Sequence, residues 1–314
     1  MNRIISTTLT LFLILSACKK EVDNISVPIV KTLPAETGRF SARLSGDVTF
    51  DEATGVLSRG IYYSTRENPT LKDSVTVHRP VTGTVTDTVV GLYPDKQYYF
   101  RAYATYTSGI AYGEQLSFTT QPAEPIWGDG ATDIDGNYYK SVIIGNQEWM
   151  AENLKVTHYR NGDPIETTTP ATINISEEAE PKYQWAYDGN PENAEVYGRL
   201  YTGFAATDNR GICPEGWHVP SIKEWKDLTK HVGGKNIAGH WLKEIGFSAL
   251  LAGERSIEGS YTEIDKMGIF WSSTEPGDNC CLSCRWLDYR GNGIYNYNEF
   301  VQKETGKTVR CIKD

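Results

Sequence analysis

The chain has 314 residues, enough for about two domains of roughly 150 residues each, which excludes a peptide or a bare repeat unit. Hydrophobic residues at 39%, charged residues at 23%, 8 Trp and 19 Tyr exclude general disorder. Lys plus Arg (31) less Asp plus Glu (40) leaves a net charge of −9, and with no basic block the electrostatic footprint of a nucleic-acid partner is missing.

Residues 1–17 hold the one long apolar run, Ile4 to Ala17, which follows Arg3 and is broken by Ser6, Thr7, Thr8 and Thr10. It is shorter than the ~20 residues that span a bilayer and reads as a signal peptide. Its end, Leu15-Ser16-Ala17-Cys18, resembles the lipobox of bacterial lipoproteins. That resemblance implies lipid attachment at Cys18 and a membrane as partner, since several acyl chains at ~0.8 kcal/mol per buried methylene hold a domain firmly. Residues 18–26 then form a tether. Lys19-Lys20-Glu21-Val22-Asp23 is similar to the signals that place Bacteroidetes-type lipoproteins on the outward face of the outer membrane, although a charged tether is also simply soluble.

Residues 27–120 show short alternating segments between turn residues and no 3.6-residue apolar period, the pattern of an all-β unit. Tyr98, Phe100, Ala102 and Ala104 fall on one strand face, with Tyr99, Arg101, Tyr103 and Thr105 on the other. Leu92-Tyr93-Pro94 ahead of Tyr98 resembles the tyrosine corner of fibronectin type III domains, in which the hydroxyl bonds back to nearby backbone. The phrases Arg59 to Ser64, Tyr99 to Ala104 and Ser117 to Thr120 are similar to the same family, so a sandwich serving as a spacer is expected.

Residues 121–130, with Pro122 and Pro125, read as a semi-rigid linker. The remainder, 131–314, mixes strands with helices. Ser221 and Glu224 form a capping box ahead of Trp225, Leu228 and Val232, and Gly233-Gly234 can end that helix. A second helix is expected from Ile237 to Ile245. Hairpin turns are expected at Asp135-Gly136, Asn161-Gly162, Gly291-Asn292-Gly293 and Thr305-Gly306.

The phrases Thr132 to Lys140, Ile144 to Lys155, Gly198 to Tyr201, Cys213 to Ser221, Phe270 to Glu275 and Val309-Arg310-Cys311 occur in the order of the Fibrobacter succinogenes major paralogous domain, which this segment resembles. The Val219-Pro220-Ser221 helix start, the Trp-Ser-Ser phrase and the terminal strand also resemble formylglycine-generating enzymes. Those enzymes have a variant of the C-type lectin fold. The expected architecture is therefore an all-β fibronectin type III-like sandwich followed by an α+β C-type-lectin-like domain. The resemblance further implies that Cys213, before the capped helix, meets Cys311 on the terminal strand in a disulfide.

In an exported chain disulfides are the first reading for cysteines. Apart from Cys18 there are five, so Cys280, Cys281 and Cys284 supply a local disulfide plus a spare thiol, with the pairing open. A redox pair would need a helix N-terminus, but Arg285 to Arg290 alternate as a strand. A zinc site lacks matching ligands, so no metal is expected. Asp133, Asp135 and Asn137 could begin a calcium loop, yet the glycine stands fourth rather than sixth, and a tight turn explains them. No cofactor is expected. Calcium is conceivable but unsupported.

Glu275 to Asn279 and Trp286-Leu287-Asp288 resemble the Glu-Pro-Asn and Trp-Asn-Asp signatures of sugar-binding C-type lectins in broken form. The hairpin from Arg285 to Tyr297 gathers Trp286, Asp288, Tyr289, Arg290, Asn292, Tyr295 and Tyr297, residue types suited to stacking on sugars or docking a protein, or to filling a core. His158, His218, His231 and His240 are scattered, with no nucleophile in a strained turn. The function expected is a non-catalytic surface lipoprotein that binds a glycan or a surface protein. The alternatives are an enzyme on a formylglycine-generating scaffold and a purely structural envelope component. Replacing Cys18→Ser is expected to abolish labelling by a palmitate analogue and release the protein from the membrane fraction. Unchanged labelling would refute the anchor.

Overall fold

The computed structural model describes residues 26–277, 280–288 and 290–314. Cys18 and the signal segment lie outside the described residues, as do Asp278, Asn279 and Tyr289. Among the described residues no helix is long and apolar enough to cross a membrane.

The N-terminal unit has strands β1 (Ile29–Thr37), β2 (Ser41–Thr49), β3 (Val56–Ser64), β4 (Ser74–His78), β5 (Gly83–Val90), β6 (Gln97–Tyr106), β7 (Gly109–Tyr112) and β8 (Leu116–Thr119). One sheet runs β1-β2-β5. The other runs β4-β3-β6-β7, with β8 also on β6. Strands β7 and β8 pair with successive halves of β6 and act as one edge, which gives the three-on-four order of a fibronectin-like sandwich. Alternation in β6 buries Tyr98, Phe100, Ala102 and Ala104. Tyr103, expected on the outer face, is also buried because it stacks on Tyr62 at 4.2 Å. The corner is closed by the Tyr93 amide, which donates to the Tyr98 hydroxyl at 3.0 Å.

The C-terminal unit contains helices α1 (Pro191–Tyr197), α2 (Gly203–Ala206), α3 (Ile222–His231) and α4 (Ala238–Glu244). A four-stranded sheet joins β9 (Ser141–Ile144), β10 (Gln147–Met150), β15 (Ile312–Lys313) and β11 (Trp217–His218), in that order. Ile312 pairs with Trp149 on one side and with His218 on the other. A larger sheet ends in β12 (Met267–Trp271), β13 (Cys281–Asp288) and β14 (Tyr295–Gln302). Two apolar clusters fill the domain, one around Trp271 and Tyr201 and the other around Trp149, Trp225 and Phe247.

Two expectations need correction. The segment 121–130, expected as a semi-rigid linker, is in part tied into the C-terminal unit. The Ile143 amide donates to the Ile126 carbonyl at 2.7 Å and the Gly128 amide to Ser141 at 2.9 Å, so residues 126–128 extend the sheet. Backbone pairing needs no apolar alternation, which is why the sequence pattern hid it. Thr305-Gly306 is not a hairpin turn either. Gly306 lies in a short strand beside Leu200–Thr202 and Ala252–Arg255, while β14 pairs back on β13.

The sandwich is docked on the second unit rather than merely spacing it. Phe40 is 2% exposed and belongs to the Trp149–Trp225 cluster. Its ring lies 5.6 Å from Trp241, and Tyr93 is 6.1 Å from the same indole. Gly91 and Gly233 meet backbone to backbone, where a Cβ on Gly91 would come 3.1 Å from the Gly233 carbonyl. Phe40→Ala, which empties a buried ring site, is expected to uncouple the two units and split one calorimetric transition into two. A single transition at the unaltered midpoint would show the contact to be energetically silent.

Candidate ligand cleft

Helix α3 begins with the expected capping box. The Ser221 amide donates to Glu224 Oε2 at 2.7 Å, and the Glu224 amide donates to Ser221 Oγ at 3.3 Å. Trp225 and Leu228 are buried. Those anchors fix the helix rotation and leave Lys226 and Lys230, one turn apart, on an exposed flank. Gly233 and Gly234, both at positive φ, turn the chain toward Lys235.

The tip between β13 and β14 is tied down beside this flank. The Ile294 amide donates to the Lys235 carbonyl at 2.8 Å, the His240 amide to the Asn292 carbonyl at 3.0 Å, and Lys243 Nζ to the Asp288 carbonyl at 2.8 Å. Gly239 allows this seat, because a Cβ there would meet the Gly293 carbonyl at 2.2 Å. Between α3 and the hairpin lies a cleft of about 460 Å³ lined by Lys226, Thr229, Lys230, Lys235, Arg285, Ile294 and Tyr295. No carboxylate lines it among the described residues.

Arg285 is only 5% exposed, and burial lowers the pKa of its guanidinium below the ordinary value. Tyr295 is 38% exposed and its ring sits 4.9 Å from half-buried Trp286. Of the other sequence candidates, Asp288 accepts a hydrogen bond from the Gly291 amide, and Arg290 and Asn292 are exposed at the tip. Tyr297 is registered opposite Cys284, and Tyr289 lies outside the described residues. Sequence reasoning missed Lys226, Lys230, Lys235 and the lining role of Arg285. The available signal was a pair of lysines at i, i+4 in an acidic chain, on the flank of a helix whose apolar face was already assigned.

The remaining candidates are occupied elsewhere. Cys213 and Cys311 are bonded, with Cα atoms 6.0 Å apart. Cys280 and Cys281 form a bond between neighbours, and Cys284 is buried with its thiol pKa pushed up by burial to about 12. Asp133 accepts from the Asp135 amide at 3.0 Å, the Asn137 amide at 2.9 Å and the Tyr139 hydroxyl at 2.6 Å. Asp135 accepts from the Thr157 amide at 2.6 Å and faces His158 at 2.6 Å. These carboxylates organise a turn, and among the described residues no group of three or more His, Cys, Asp or Glu could hold a metal ion. In the lectin-like phrases, Glu275 pairs with Lys303 at 2.5 Å, and Leu287 is fully buried. His231 packs on Phe40 and His240 on Trp241.

His218 lies between two carboxylates, with Nδ1 2.6 Å from Asp314 and Nε2 2.9 Å from Glu224. Desolvation opposes its charge, but the two acceptors outweigh it and raise the pKa. Glu224 is also desolvated, yet the Ser221 bonds and His218 hold its pKa below the usual value.

A family model described as the Fibrobacter succinogenes major domain matches residues 142–313. No curated protein matches the chain. Among solved structures, the chain is similar to the sensor domain of the anti-sigma factor RsgI4 of Pseudobacteroides cellulosolvens, at 24% identity and a TM-score of 0.26, over 31% of this chain and 98% of that one. It is also similar to the third fibronectin III domain of the human KIAA0343 protein, at 14% identity and a TM-score of 0.24, over 34% and 94% respectively. Likeness at these levels says nothing about activity.

The His218 contacts carry a pH signature. A raised histidine pKa contributes stability that is fully present below about 6.5, the ordinary value, and is lost as pH rises through the folded pKa. The lowered Glu224 pKa contributes stability above the ordinary carboxylate value that is lost on acidification. The melting-point difference between the parent protein and His218→Gln should therefore be largest near about pH 5.5 and shrink toward about pH 8. A difference independent of pH across that window would rule out the charged contact.

Proposed function

The chain belongs to the Fibrobacter succinogenes major domain family, and from that membership we propose that it is a non-catalytic binding protein of the cell surface. In this reading Cys18 anchors it to the outer membrane, facing outward, and the C-terminal domain engages a glycan or a surface protein. A C-type-lectin-like plan for that domain is part of the proposal. Its support is the looped arrangement in which the terminal strand β15 returns to pair with β10 near the domain's start.

The single observation that carries the reading is the cleft beside the hairpin, with half-exposed Tyr295 against Trp286 and a rim of polar side chains. Its volume falls in the roughly 300–1,000 Å³ range of small-ligand sites, and its aromatic faces suit ring stacking. Turnover on a formylglycine-type scaffold would call for an available thiolate pair. Here Cys280 is bonded to Cys281 and Cys284 is buried with a raised pKa, which favours binding over catalysis.

Screening the full exported chain against an array of glycans and extracellular-matrix proteins identifies the ligand. Tyr295→Ala is then expected to weaken its binding by about 1–3 kcal/mol, measured by titration calorimetry, with the melting curve almost unmoved. A collapsed melting curve would instead identify the ring as core, and undiminished affinity would move the site elsewhere.

A further inference from the structure

Lys31, Lys72, Lys96, Lys140, Lys243 and Lys266 have no carboxylate ion pair among the described residues, and what sets Lys226, Lys230 and Lys235 apart is that all three border one cleft. Lys155, Lys182, Lys223, Lys303, Lys307 and Lys313 each face a carboxylate in an ion pair. Lys223 does so on α3 itself, 2.7 Å from Asp227. Lys226, Lys230 and Lys235 have no such pair among the described residues, and they share one hollow with the deeper Arg285. In a chain of net charge −9, four cations around a cleft with no lining carboxylate among the described residues run against the surrounding field. Like charges one turn apart on a helix also destabilise it. Concave walls of low dielectric focus such a potential and raise the local concentration of anions.

We propose that the cleft is a subsite for the acidic group, carboxylate or sulfate, of a charged saccharide. Lys226, Lys230 and Lys235 hold the anion at the rim, Arg285 sets the positive potential at the floor, and Tyr295 offers a face to the sugar ring. The inference rests on the binding function proposed above and narrows its ligand. A saccharide fits better than an acidic peptide, because the hollow is compact, about 460 Å³, and counts the Tyr295 ring among its walls. Aromatic surface beside cations matches a ligand that has an apolar ring face and a charged substituent.

The test uses the full chain and four probes of matched length: a neutral glucan oligosaccharide, a uronate oligosaccharide, a sulfated oligosaccharide and a poly-glutamate peptide. One or both acidic saccharides should bind, more weakly as salt rises from about 0.05 to about 0.5 M. The double variant Lys226→Glu/Lys230→Glu, on exposed positions, should lose at least about tenfold in affinity with an unchanged melting curve. Lys72→Glu in the sandwich should lose nothing. Arg285→Gln should show the same loss where it folds, and the lysine variant decides the matter if it does not. Which acidic arm binds more tightly distinguishes uronate from sulfate. Neutral glucan bound equally well and indifferent to the lysine variant would overturn the anion subsite while leaving the binding function standing. Tighter binding of poly-glutamate than of either acidic saccharide would overturn the saccharide assignment. Silence from all four probes would overturn this inference, whereas silence from the wider array as well would remove the binding function itself.

Discussion

The C-terminal domain depends on the return of its last residues, 308–314, to the place where the domain began. Ile312 pairs with both Trp149 and His218, so one residue of β15 stitches the first hairpin to the entry of the main helix. Next to it the Cys213–Cys311 bond closes a separation of 98 residues, worth about 4–5 kcal/mol in the chain-entropy model. Arg310 is fully buried, donates to the Phe247 carbonyl and to Asn153, and lies 4.4 Å over the Phe247 ring. Burial lowers its pKa to about 9. A charge in that position is tolerable only while its acceptors stay in place, so the strand fixes the loops around it as firmly as it fixes the sheet.

That seat sets the geometry of the cleft. Asp314 and Glu224 hold His218 between them, and the same Glu224 caps α3. The helix is thus pinned at its start through His218 by the Asp314 side chain and along its length by Trp225 and Leu228 in the core. Its remaining flank has nowhere to turn but toward the hairpin. Lys226 and Lys230 therefore owe their position to contacts that lie on the far side of the helix, and a change at the terminal strand would displace them without touching either one.

Much of this was legible in the sequence where a local rule decides the outcome. The capping box at Ser221 and Glu224, the helix bounded by Ile237 and Ile245, and the inward face of β6 each depend on spacing within a single element. Tyr103 escaped the alternation rule because its burial comes from stacking on Tyr62 of a neighbouring strand. The docking of Phe40 was invisible for the same reason, as an aromatic in a tight turn carries no mark of the partner it will meet 191 positions later at His231. The hairpin from Arg285 to Tyr297 could be picked out by composition. Composition could not reveal that its partner would be a row of lysines on α3, since that pairing is made only by the fold.

The docked sandwich changes what the binding surface can be. Phe40 and Tyr93 press on Trp241 of α4, and α4 in turn receives the hairpin tip through His240 and Gly239. The tip would otherwise be an exposed turn whose ordering on binding subtracts from affinity, and fixing it beforehand removes that cost. Backbone carbonyls at Asn292, Asp288 and Lys235 supply the acceptors for these ties, so the loop is held without consuming the side chains that face the cleft. Through Phe40 and Tyr93 the fibronectin-like unit thereby braces α4, and through α4 the hairpin that lines the proposed binding cleft.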